Sequence, residues 1–490
     1  MALLAGALKQ NGFDCTVIDA NVGGLLWLAR NGQAPRDSWT RRAVSHFEEN
    51  LADLKTPALY GNRDQYRQRV MDVNRVIHVS CPPRFRLSLS DYVDRDLSPV
   101  KSEDLLTATR TYTDNPFYGY FTSVLAPVIE KSTSSFVGLS ICYLSQALTG
   151  FALAGWIKAS FPGKKIVLGG GLISSWMSAP AWKNPFSSLI DIMVRGRGED
   201  AVVAIMKGIS PEAGEASAGR VVPDFDFCNW DDYLAPGPII PYRTATGCYW
   251  QKCRFCPETV EGGRYLPQKN TDILDDLKQF QERVKPAHVH FLDDAVSPSF
   301  LRALADNPVP FTWYGFVRFT KDLADPAFCR ALYQSGCRML KLGLESGDQH
   351  VLDEMNKGTR LDMATRVLAA LKQAGIATYV YLLFGTAFED EAAAERTLAY
   401  VADNSENISF LNLAIFNLPR FSPEVELLKT HSFYAGDLSL YLGFNHPRGW
   451  NRRQIRFFLD RKFKKHSAIA PILRKDPPFF TSNHAMFVPF

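Results

Sequence analysis

Short apolar runs alternate with helical stripes through the first part of the chain. The first twenty residues predict a helix that Gly12 ends, followed by a strand at 15–19. Further along, the pattern predicts a buried strand at 136–142, a helix at 146–161, strands at 165–168 and 190–194, and a helix at 200–206. Strands that alternate with helices are typical of a parallel, doubly wound sheet. We therefore predict an α/β domain over 1–207, with a polar insertion near 30–130.

A change of composition separates this domain from the rest of the chain. Residues 208–240 are rich in proline and glycine, which favour turns and interrupt regular structure. These residues are Pro211, Gly214, Gly219, Pro223, Pro236, Gly237 and Pro238. The segment is predicted to be an interdomain linker.

From Pro241 the pattern becomes a regular alternation of six strands and five helices. The strands are predicted near 242–246, 288–293, 311–317, 339–344, 376–384 and 408–416. The helices are predicted near 270–283, 299–305, 325–335, 360–374 and 389–403. Six units fall short of a closed eight-fold barrel, and in barrels of this kind the chemistry lies at the carboxyl ends of the strands. We assign 241–423 to this domain.

The remaining segment, 424–490, is predicted to be a carboxyl-terminal extension with a basic amphipathic helix. Ile455, Phe458, Leu459 and Phe463 fall on one face of the stretch 450–466, which is rich in Arg and Lys. Such a helix could contact a membrane surface or a nucleic acid. The simpler interpretation is a helix packed on the open edge of the barrel with its basic face in solvent.

Composition narrows the class of protein. The chain has 490 residues, of which 46% are hydrophobic and 22% charged, values typical of a globular protein. Its net charge of +4 gives no general attraction to nucleic acid or membranes, and no apolar run is long enough to span a bilayer. The nine cysteines are an odd number and include a cluster, which favours a reducing cytoplasm over a disulfide framework.

Polar or special residues follow nearly every predicted strand of the second half. They are Asp293, Asp294, Arg318, Glu345, Ser346 and Gly385. Each taken alone has an ordinary interpretation as a helix cap, a surface residue or an ion-pair partner. In the first half, Ser140, the turn Gly169, Gly170 and Gly171, and Gly198 occupy the corresponding positions, where glycine lets the backbone approach a large ligand closely.

The strongest chemical signal is a cysteine triplet. Cys248, Cys253 and Cys256 lie within nine positions, with four residues in the first gap and two in the second. Thiolates select zinc, Cu(I) and iron–sulfur clusters. A zinc site would be expected to have a fourth ligand at a recognisable spacing, and none follows. A [4Fe–4S] cluster held by three cysteines leaves one iron open to a small molecule. The alternatives are structural cysteines or a zinc loop.

The triplet resembles the cluster loop of the radical S-adenosylmethionine (SAM) enzymes. The four-residue gap, opened by Gly-Cys-Tyr-Trp and closed by Phe-Cys-Pro, resembles their cobalamin-binding branch in particular. This resemblance implies a partial (β/α)6 barrel that binds a [4Fe–4S] cluster and SAM. It implies that the backbone of Phe255 lies against the adenine, and that Glu345 and Ser346 lie by the ribose or methionine. Asp293, Asp294, Arg318 and Gly385 would line the same cavity.

The first domain resembles the cobalamin-binding domain of the same branch. The resemblance rests on the order of Val-Gly-Leu-Ser, Ser-Gln, Leu-Gly-Gly-Gly and Gly-x-Gly-Glu. It implies that Ser140, Gly169, Gly170, Gly171 and Gly198 contact cobalamin. The signature DxHxxG, whose His ligates cobalt, is absent, as in other members of the branch. Such domains begin with a strand and a proline-rich turn, so the start of this one is predicted to be shortened.

These resemblances cover most of 136–420 and imply a cobalamin-dependent methyltransferase. The expected reaction is methylation of an unactivated carbon of a small-molecule or peptide substrate, with a flavodoxin or ferredoxin as electron donor. One alternative keeps the radical SAM core but cyclises or rearranges its substrate. Another is a non-catalytic protein that binds a metal or nucleic acid through a zinc loop and the basic helix. The residues leave the substrate unspecified.

Overall fold

The computed structural model describes residues 1–32, 37–180, 182–210, 220–479 and 484–488. Part of the predicted linker, 211–219, and part of the tail, 480–483 and 489–490, therefore lie outside the described residues. The chain forms two compact units. Unit 1 comprises 1–54, 68–234 and 433–440, and unit 2 comprises 55–67, 235–432 and 441–490.

The helices and strands are numbered here in chain order. The α-helices are α1 Ala2–Gln10, α2 Ala20–Asn31, α3 Ser38–Ser45, α4 Phe47–Asp53, α5 Pro57–Tyr60, α6 Arg63–Val79, α7 Ser102–Arg110, α8 Tyr118–Tyr120, α9 Ala126–Lys131, α10 Leu144–Ser160, α11 Gly171–Met177, α12 Gly198–Met206, α13 Pro257–Val260, α14 Asn270–Arg283, α15 Pro298–Asp306, α16 Pro326–Gln334, α17 Gln349–Glu354, α18 Leu361–Gln373, α19 Glu391–Asp403, α20 Arg452–Arg461 and α21 Ala470–Leu473. The strands are β1 Phe85–Leu87, β2 Tyr92–Asp94, β3 Phe136–Ser140, β4 Lys165–Gly169, β5 Ile192–Met193, β6 Ile239–Tyr242, β7 Ala245–Thr246, β8 Leu266–Pro267, β9 His288–Phe291, β10 Thr312–Val317, β11 Cys337–Glu345, β12 Ala377–Phe384, β13 Phe410–Ile415, β14 Leu418–Pro419, β15 Thr430–Ser432 and β16 Tyr441–Phe444. No helix among the described residues is both long and apolar enough to cross a bilayer.

Unit 1 contains a parallel sheet in the order β3-β4-β5. Helix α10 follows β3 and buries an almost continuous apolar stretch, which includes Phe151 and Trp156. Strand β4 buries Ile166 and Leu168 and is the central strand. The prediction of an α/β domain with a parallel sheet is therefore confirmed.

The predicted strand at 15–19 is wrong. This segment is irregular and belongs to none of the sheets in the described part of the chain. A strand is stabilised only by a neighbouring strand, and the segment instead prepares the start of α2. The Asp19 carboxylate accepts hydrogen bonds from the backbone N–H groups of Asn21 (3.1 Å) and Val22 (3.3 Å), which is the geometry of a helix N-cap.

Unit 2 is built on six parallel strands in the order β13-β12-β11-β10-β9-β6. Because the order follows the chain and β6 and β13 remain as edges, the sheet is an open (β/α)6 barrel. The partial barrel is thus confirmed. The first strand is shifted, because β6 spans 239–242 and not the predicted 242–246. Residues 245–246 pair antiparallel with β8.

The two faces of this sheet differ in chemistry. One face packs against helices, as the ring contact between Phe291 of β9 and Phe300 of α15 shows (5.4 Å between centroids). The opposite face, called the inner face below, carries His290, Tyr314, Phe316, Met339, Lys341, Tyr379 and Tyr381, which the strand registers place in neighbouring rows. Both faces of β11, one of the two central strands, are largely buried, which accounts for its apolar residues Met339, Leu340, Leu342 and Leu344.

The predicted basic amphipathic helix is present as α20. Its predicted apolar face is buried, with Ile455, Phe458, Leu459 and Phe463 at most 4% exposed. Phe458 and Phe463 contact the ring of Phe384 at the end of β12. The helix therefore packs on the barrel, as the simpler interpretation expected.

Candidate metal and cofactor site

The cysteine loop begins directly after β7 and is held by hydrogen bonds within the segment 247–264. Gly247 has a φ of +70°, and a Cβ there would lie 2.7 Å from the carbonyl oxygen of Arg264, so glycine is required at this position. Gln251 Nε2 donates to the carbonyl oxygen of Gly263 (2.7 Å). The Cys256 N–H donates to the Cys253 carbonyl (3.3 Å). The loop folds back on itself and brings its second and third cysteines into one tight turn.

The loop rests on the turn that follows α17. Trp250 Nε1 donates to the Asn356 carbonyl (3.0 Å), and the Arg254 N–H donates to the Met355 carbonyl (3.0 Å). Gly358 has a φ of +69°, and a Cβ there would lie 2.2 Å from Trp250 Cζ2. The turn therefore needs glycine to make room for the indole of Trp250. The indole in turn holds the cysteine loop against the turn that follows α17.

Cationic side chains surround Cys253. Arg318 Nη1 lies 3.9 Å from Cys253 Sγ, and its guanidinium lies 4.4 Å from the centroid of the Trp250 ring. Arg318 Nη2 also donates to the carbonyl of Lys357. Lys357 forms an ion pair with Glu345 (Nζ–Oε1 2.8 Å) and lies 5.5 Å from the Phe255 ring centroid. Arg318, Glu345 and Phe255, three residues that the sequence singled out, thus belong to one contact network.

The thiols are free and sensitive to this charge. All nine cysteines are free thiols. Burial raises the pKa of Cys253, while the charges of Lys357 and Arg318 act in the opposite direction. Burial also raises the pKa of Cys256, opposed by backbone N–H donors at Thr259 and Glu258. Since a metal or cluster binds thiolates, nearby cations favour the ligating form.

The donor set is chemically suited to an iron–sulfur cluster. Three cysteines on one loop provide soft sulfur ligands, and the neighbouring Arg and Lys side chains suit a centre with negative charge. Within the described ranges, no group of three or more His, Cys, Asp or Glu side chains is arranged to hold a metal ion. The assignment of the three sulfur ligands therefore rests on their common loop and on the cationic side chains beside Cys253.

Asp293 and Asp294 follow β9 and have different environments. Asp293 is 2% exposed and accepts hydrogen bonds from the Thr244 N–H (3.1 Å) and hydroxyl (2.7 Å). Burial raises its pKa, and the bonds from Thr244 oppose that change. Asp294 is exposed. Asp293 therefore ties the end of β9 to the chain just after β6 and orients the approach to the cysteine loop.

The side chains of Glu345 and Ser346 have different surroundings. A register shift between β11 and β12 occurs at Gly343/Glu345, and Glu345 has a φ of +69°, which is rare and strained for a side chain of this size. This conformation accompanies the ion pair with Lys357. Ser346 is fully buried, and its hydroxyl lies 3.1 Å from Thr397 Oγ1 and accepts from the Asp348 N–H (3.1 Å). The structure therefore uses the Ser346 hydroxyl within the core.

Gly385 follows β12, at a position whose backbone conformation requires glycine. Its φ is +84°, and its N–H donates to the Glu389 carboxylate. The same oxygen, Glu389 Oε2, accepts from Trp450 Nε1 (3.0 Å). Burial raises the pKa of Glu389 to about 8, although both hydrogen bonds act to lower it. Glu389 thus joins the loop after β12 to the segment that precedes α20.

This buried carboxyl predicts a pH dependence of stability. Its folded pKa lies above the value of 4.5 for an exposed glutamate, so between pH 4.5 and about 8 the unfolded chain releases the proton that the folded chain keeps. Stability contributed by this group should fall as pH rises through that window, by up to ~1.4 kcal/mol per pH unit. Glu389→Gln retains an acceptor oxygen and should remove the dependence.

The measurement is urea unfolding of both proteins from pH 5 to 8. We expect the stability advantage of Glu389→Gln to grow with pH. Parallel curves for the two proteins would contradict the buried neutral carboxyl. Glu406→Gln, at an exposed glutamate, provides the matched control.

In unit 1 the predicted residues share one sheet edge. Ser140 and Gly169 are direct partners at the ends of β3 and β4. Gly170 has a φ of +110° and leads into α11, whose first residue is Gly171. Gly198 begins α12, after the end of β5. The Ser140 hydroxyl lies 3.8 Å from Cys142 Sγ. Four of the five residues are therefore adjacent, and Gly198 lies beyond the neighbouring strand.

The residues that support the cysteine loop were not predicted from the sequence. Lys357, Glu389 and the roles of Trp250 and Arg254 emerge only from contacts between distant parts of unit 2. Arg254, for example, lies 4.7 Å from the Phe388 ring centroid and 3.2 Å from Glu424 Oε1. A lysine followed by glycine at 357–358 was the available signal, since such a pair marks a turn next to a charged group.

No family model matches the chain. It is 26% identical over 254 residues to a bacteriochlorophyllide d C-12(1)-methyltransferase of Chlorobaculum tepidum, which covers 49% of this chain and 55% of that relative. It is 22% identical over 293 residues to an anaerobic magnesium-protoporphyrin IX monomethyl ester cyclase of Rubrivivax gelatinosus, covering 52% of this chain and 51% of the relative. The chain thus spans about half the length of these curated relatives.

A solved structure shares the fold. The cobalamin-dependent S-adenosylmethionine radical enzyme OxsB, with aqua-cobalamin bound, aligns with a TM-score of 0.54 at 14% identity. The alignment covers 69% of this chain and 60% of OxsB. At this identity the likeness establishes the fold.

Proposed function

We infer that this chain, which has the fold of a cobalamin-dependent radical SAM enzyme, is itself such an enzyme and that it acts as a methyltransferase. Cys248, Cys253 and Cys256 would hold a [4Fe–4S] cluster, and SAM and cobalamin would be the further cofactors. The substrate would be a small molecule or a peptide that is methylated at an unactivated carbon. The free thiols support a reducing compartment, the cytoplasm.

One observation carries this proposal. The three-cysteine loop sits at the carboxyl edge of an open six-stranded parallel barrel, and Arg318, Lys357 and Glu345 form a charged network beside Cys253. Catalytic groups of such barrels lie at this edge. A zinc loop or a set of structural cysteines would not require that network.

The side chains and backbone of this chain would bind the cofactors and the substrate, orient them and exclude water. When bound, the cluster would supply the electron for reductive cleavage of SAM, and cobalamin would supply the methyl group. Phe255 would offer its backbone to the adenine. Glu345 and Asp294 would accept hydrogen bonds from SAM, and Arg318 would favour its carboxylate. Ser140, Gly169, Gly170, Gly171 and Gly198 would line the cobalamin side.

A second candidate reaction is cyclisation or rearrangement by the same radical SAM core. The observation that favours it is the similarity to a cyclase, which is close in extent to the similarity to a methyltransferase. The two reactions need the same loop and barrel, so the product distinguishes them.

The first test is anaerobic purification with cobalamin supplied, followed by assays of iron, sulfide and cobalt on one sample. We expect about four irons and about one cobalt per chain, the composition of one [4Fe–4S] cluster and one corrinoid. Dithionite as reductant should then support formation of 5′-deoxyadenosine from SAM. Iron without cobalt would remove the main support for methyl transfer, and zinc without iron would contradict the radical SAM assignment. A flavodoxin or ferredoxin would replace dithionite in a cell.

A further inference from the structure

A buried lysine lies inside the barrel and has no acidic partner among the residues that the structure describes. Lys341, in the middle of β11, is 1% exposed. Its ammonium has His290 Nε2 as a hydrogen-bond partner at 3.1 Å, and in the described part of the chain it forms no ion pair. Lysine is almost never fully buried unless it is paired. The arrangement therefore needs an explanation beyond packing.

The groups around Lys341 are neutral or aromatic. Its Nζ lies 5.0 Å from the ring centroid of Phe316 and 5.3 Å from that of Tyr314. The His290 ring stacks on Tyr314 with 4.3 Å between centroids and 13° between planes. Burial lowers the pKa of His290 to about 3, and the charge of Lys341 adds to this effect. The imidazole is thus neutral at physiological pH and cannot balance the ammonium.

The aromatic rings partly compensate for the burial of the Lys341 ammonium. Ring faces attract an ammonium, but by less than the cost of burying an unpaired charge. Burial accordingly lowers the pKa of Lys341 to about 8, which still leaves the amine mostly protonated at pH 7. An anion within hydrogen-bond distance would supply the missing balance.

Lys341 lies one inner-face position before the charged network beside the cysteine loop, which includes Glu345 and Lys357. On the inner face, Gly343 is the next position of β11, and a Cβ there would lie 2.5 Å from Glu345 Oε1 and 2.8 Å from Lys357 Nζ. The Glu345–Lys357 pair therefore sits over Gly343. Two residues along a strand span about 7 Å, so the ammonium is a short distance from the groups that contact the cysteine loop.

The walls beside this position are flat and apolar. Phe316 and Tyr381 contact each other with 4.9 Å between centroids, and Lys341 is the register partner of both Phe316 and Tyr379. A ligand that reached Lys341 would meet these rings. The site combines one cationic head with an aromatic wall, which suits a molecule with a carboxylate and an unsaturated or apolar body.

We propose that Lys341, held in place by His290, binds a carboxylate of the substrate inside the barrel. The proposal rests on the function inferred above and specifies the substrate class as a carboxylic acid whose body packs on Phe316 and Tyr381. The carboxylate would anchor one end of the substrate, and the other end would face the cysteine loop.

The test uses a simple probe, because it does not depend on the natural substrate. The probe is 3-phenylpropionate, and its neutral comparison is 3-phenylpropionamide. Binding of each to the anaerobically reconstituted holoenzyme with SAM present is measured by calorimetry. We expect the carboxylate to bind at least tenfold more tightly than the amide. Equal affinity of the two probes would overturn the proposal.

Three variants test whether Lys341 is responsible for the preference for the carboxylate. Lys341→Met should lose the preference for the carboxylate and raise the Tm of the ligand-free protein, because it removes an unpaired buried charge. Lys341→Arg should retain the preference. Lys372→Met, at an exposed lysine of α18, is the control and should behave as the unmodified protein. A lower Tm of Lys341→Met together with an unchanged carboxylate preference would make Lys341 a purely structural residue and would overturn the proposal.

SAM also carries a carboxylate, and one further measurement separates the two sources. The affinity for SAM should be the same in Lys341→Met and in the unmodified protein. A loss of SAM affinity without loss of probe binding would assign the lysine to SAM and overturn the substrate role. The function itself is tested separately by iron content and by dithionite-supported SAM cleavage, so its failure is distinguishable from failure of the anion site.

Discussion

Replacement of Cys253 by alanine is expected to yield a protein that retains little iron and does not cleave SAM. The same result is expected for Cys248→Ala and Cys256→Ala. Each thiolate would be a direct ligand, and changes to groups that merely orient a metal ligand already cost 10–100-fold in metal affinity or activity. We therefore expect cleavage to fall by ~100-fold or more. The measurements are iron and sulfide per chain and the rate of 5′-deoxyadenosine formation with dithionite.

Cys15→Ala is the matched control for these variants. Cys15 is a free thiol in unit 1 and lies far from the loop in sequence. It should retain the iron and the activity of the unmodified protein. If any one of the three loop variants cleaved SAM at the normal rate, that cysteine would not be a ligand. Loss of iron in the Cys15 variant would indicate a general effect of removing thiols.

Replacement of Gly170 by alanine is expected to unfold the sheet edge of unit 1. Gly170 has a φ of +110°, where residues with a side chain are strained. A Cβ would lie 2.4 Å from the Ile141 carbonyl oxygen and 2.7 Å from its backbone nitrogen. Strain of this kind costs ~1–3 kcal/mol, and the steric overlap with rigid backbone adds to it. We expect a loss of at least about 3 kcal/mol in the free energy of unfolding.

Gly163→Ala separates this effect from the loss of any glycine. Gly163 precedes β4 in the same unit, and a Cβ there would meet no heavy atom within 4 Å. Its substitution should change stability by no more than about 0.5 kcal/mol. Urea unfolding and cobalt content measure the two variants side by side. Equal stability of both would contradict the close approach of Gly170 to Ile141, and equal cobalt content in a folded Gly170→Ala protein would argue against the edge as the cobalamin site.

The regular parts of the fold could be predicted because their patterns are local. Five of the six barrel strands and all five predicted barrel helices lie close to their expected positions, as at β12 Ala377–Phe384 and α18 Leu361–Gln373. Long apolar runs identify strands buried on both faces, and helical stripes identify their partners. The failures at 15–19 and at the first strand both involve short segments. Whether such a segment is a strand depends on a neighbouring strand that its own residues do not encode.

The candidate site was predictable in part for the same reason. The cysteine triplet is a local spacing, so it was visible at once. The surroundings of Cys253 depend on residues 65 positions away at Arg318 and still further at Lys357. Ser346 shows a further limit, because a residue at a strand end can turn its hydroxyl into the core. The direction of a side chain at such an end depends on a register shift that only the assembled sheet contains.

The sequence by itself determined the six-fold alternation of the second half, the parallel sheet of the first, and the thiol-rich loop that suits an iron–sulfur cluster. These are properties of periodicity and spacing, which act over a few residues. Only the tertiary structure decided that Glu345 pairs with Lys357, that Glu389 is a buried acid, and that Lys341 stands in the barrel with no acidic partner among the described residues. Burial and charge balance depend on what surrounds a group in space, and those neighbours come from strands far apart in the chain.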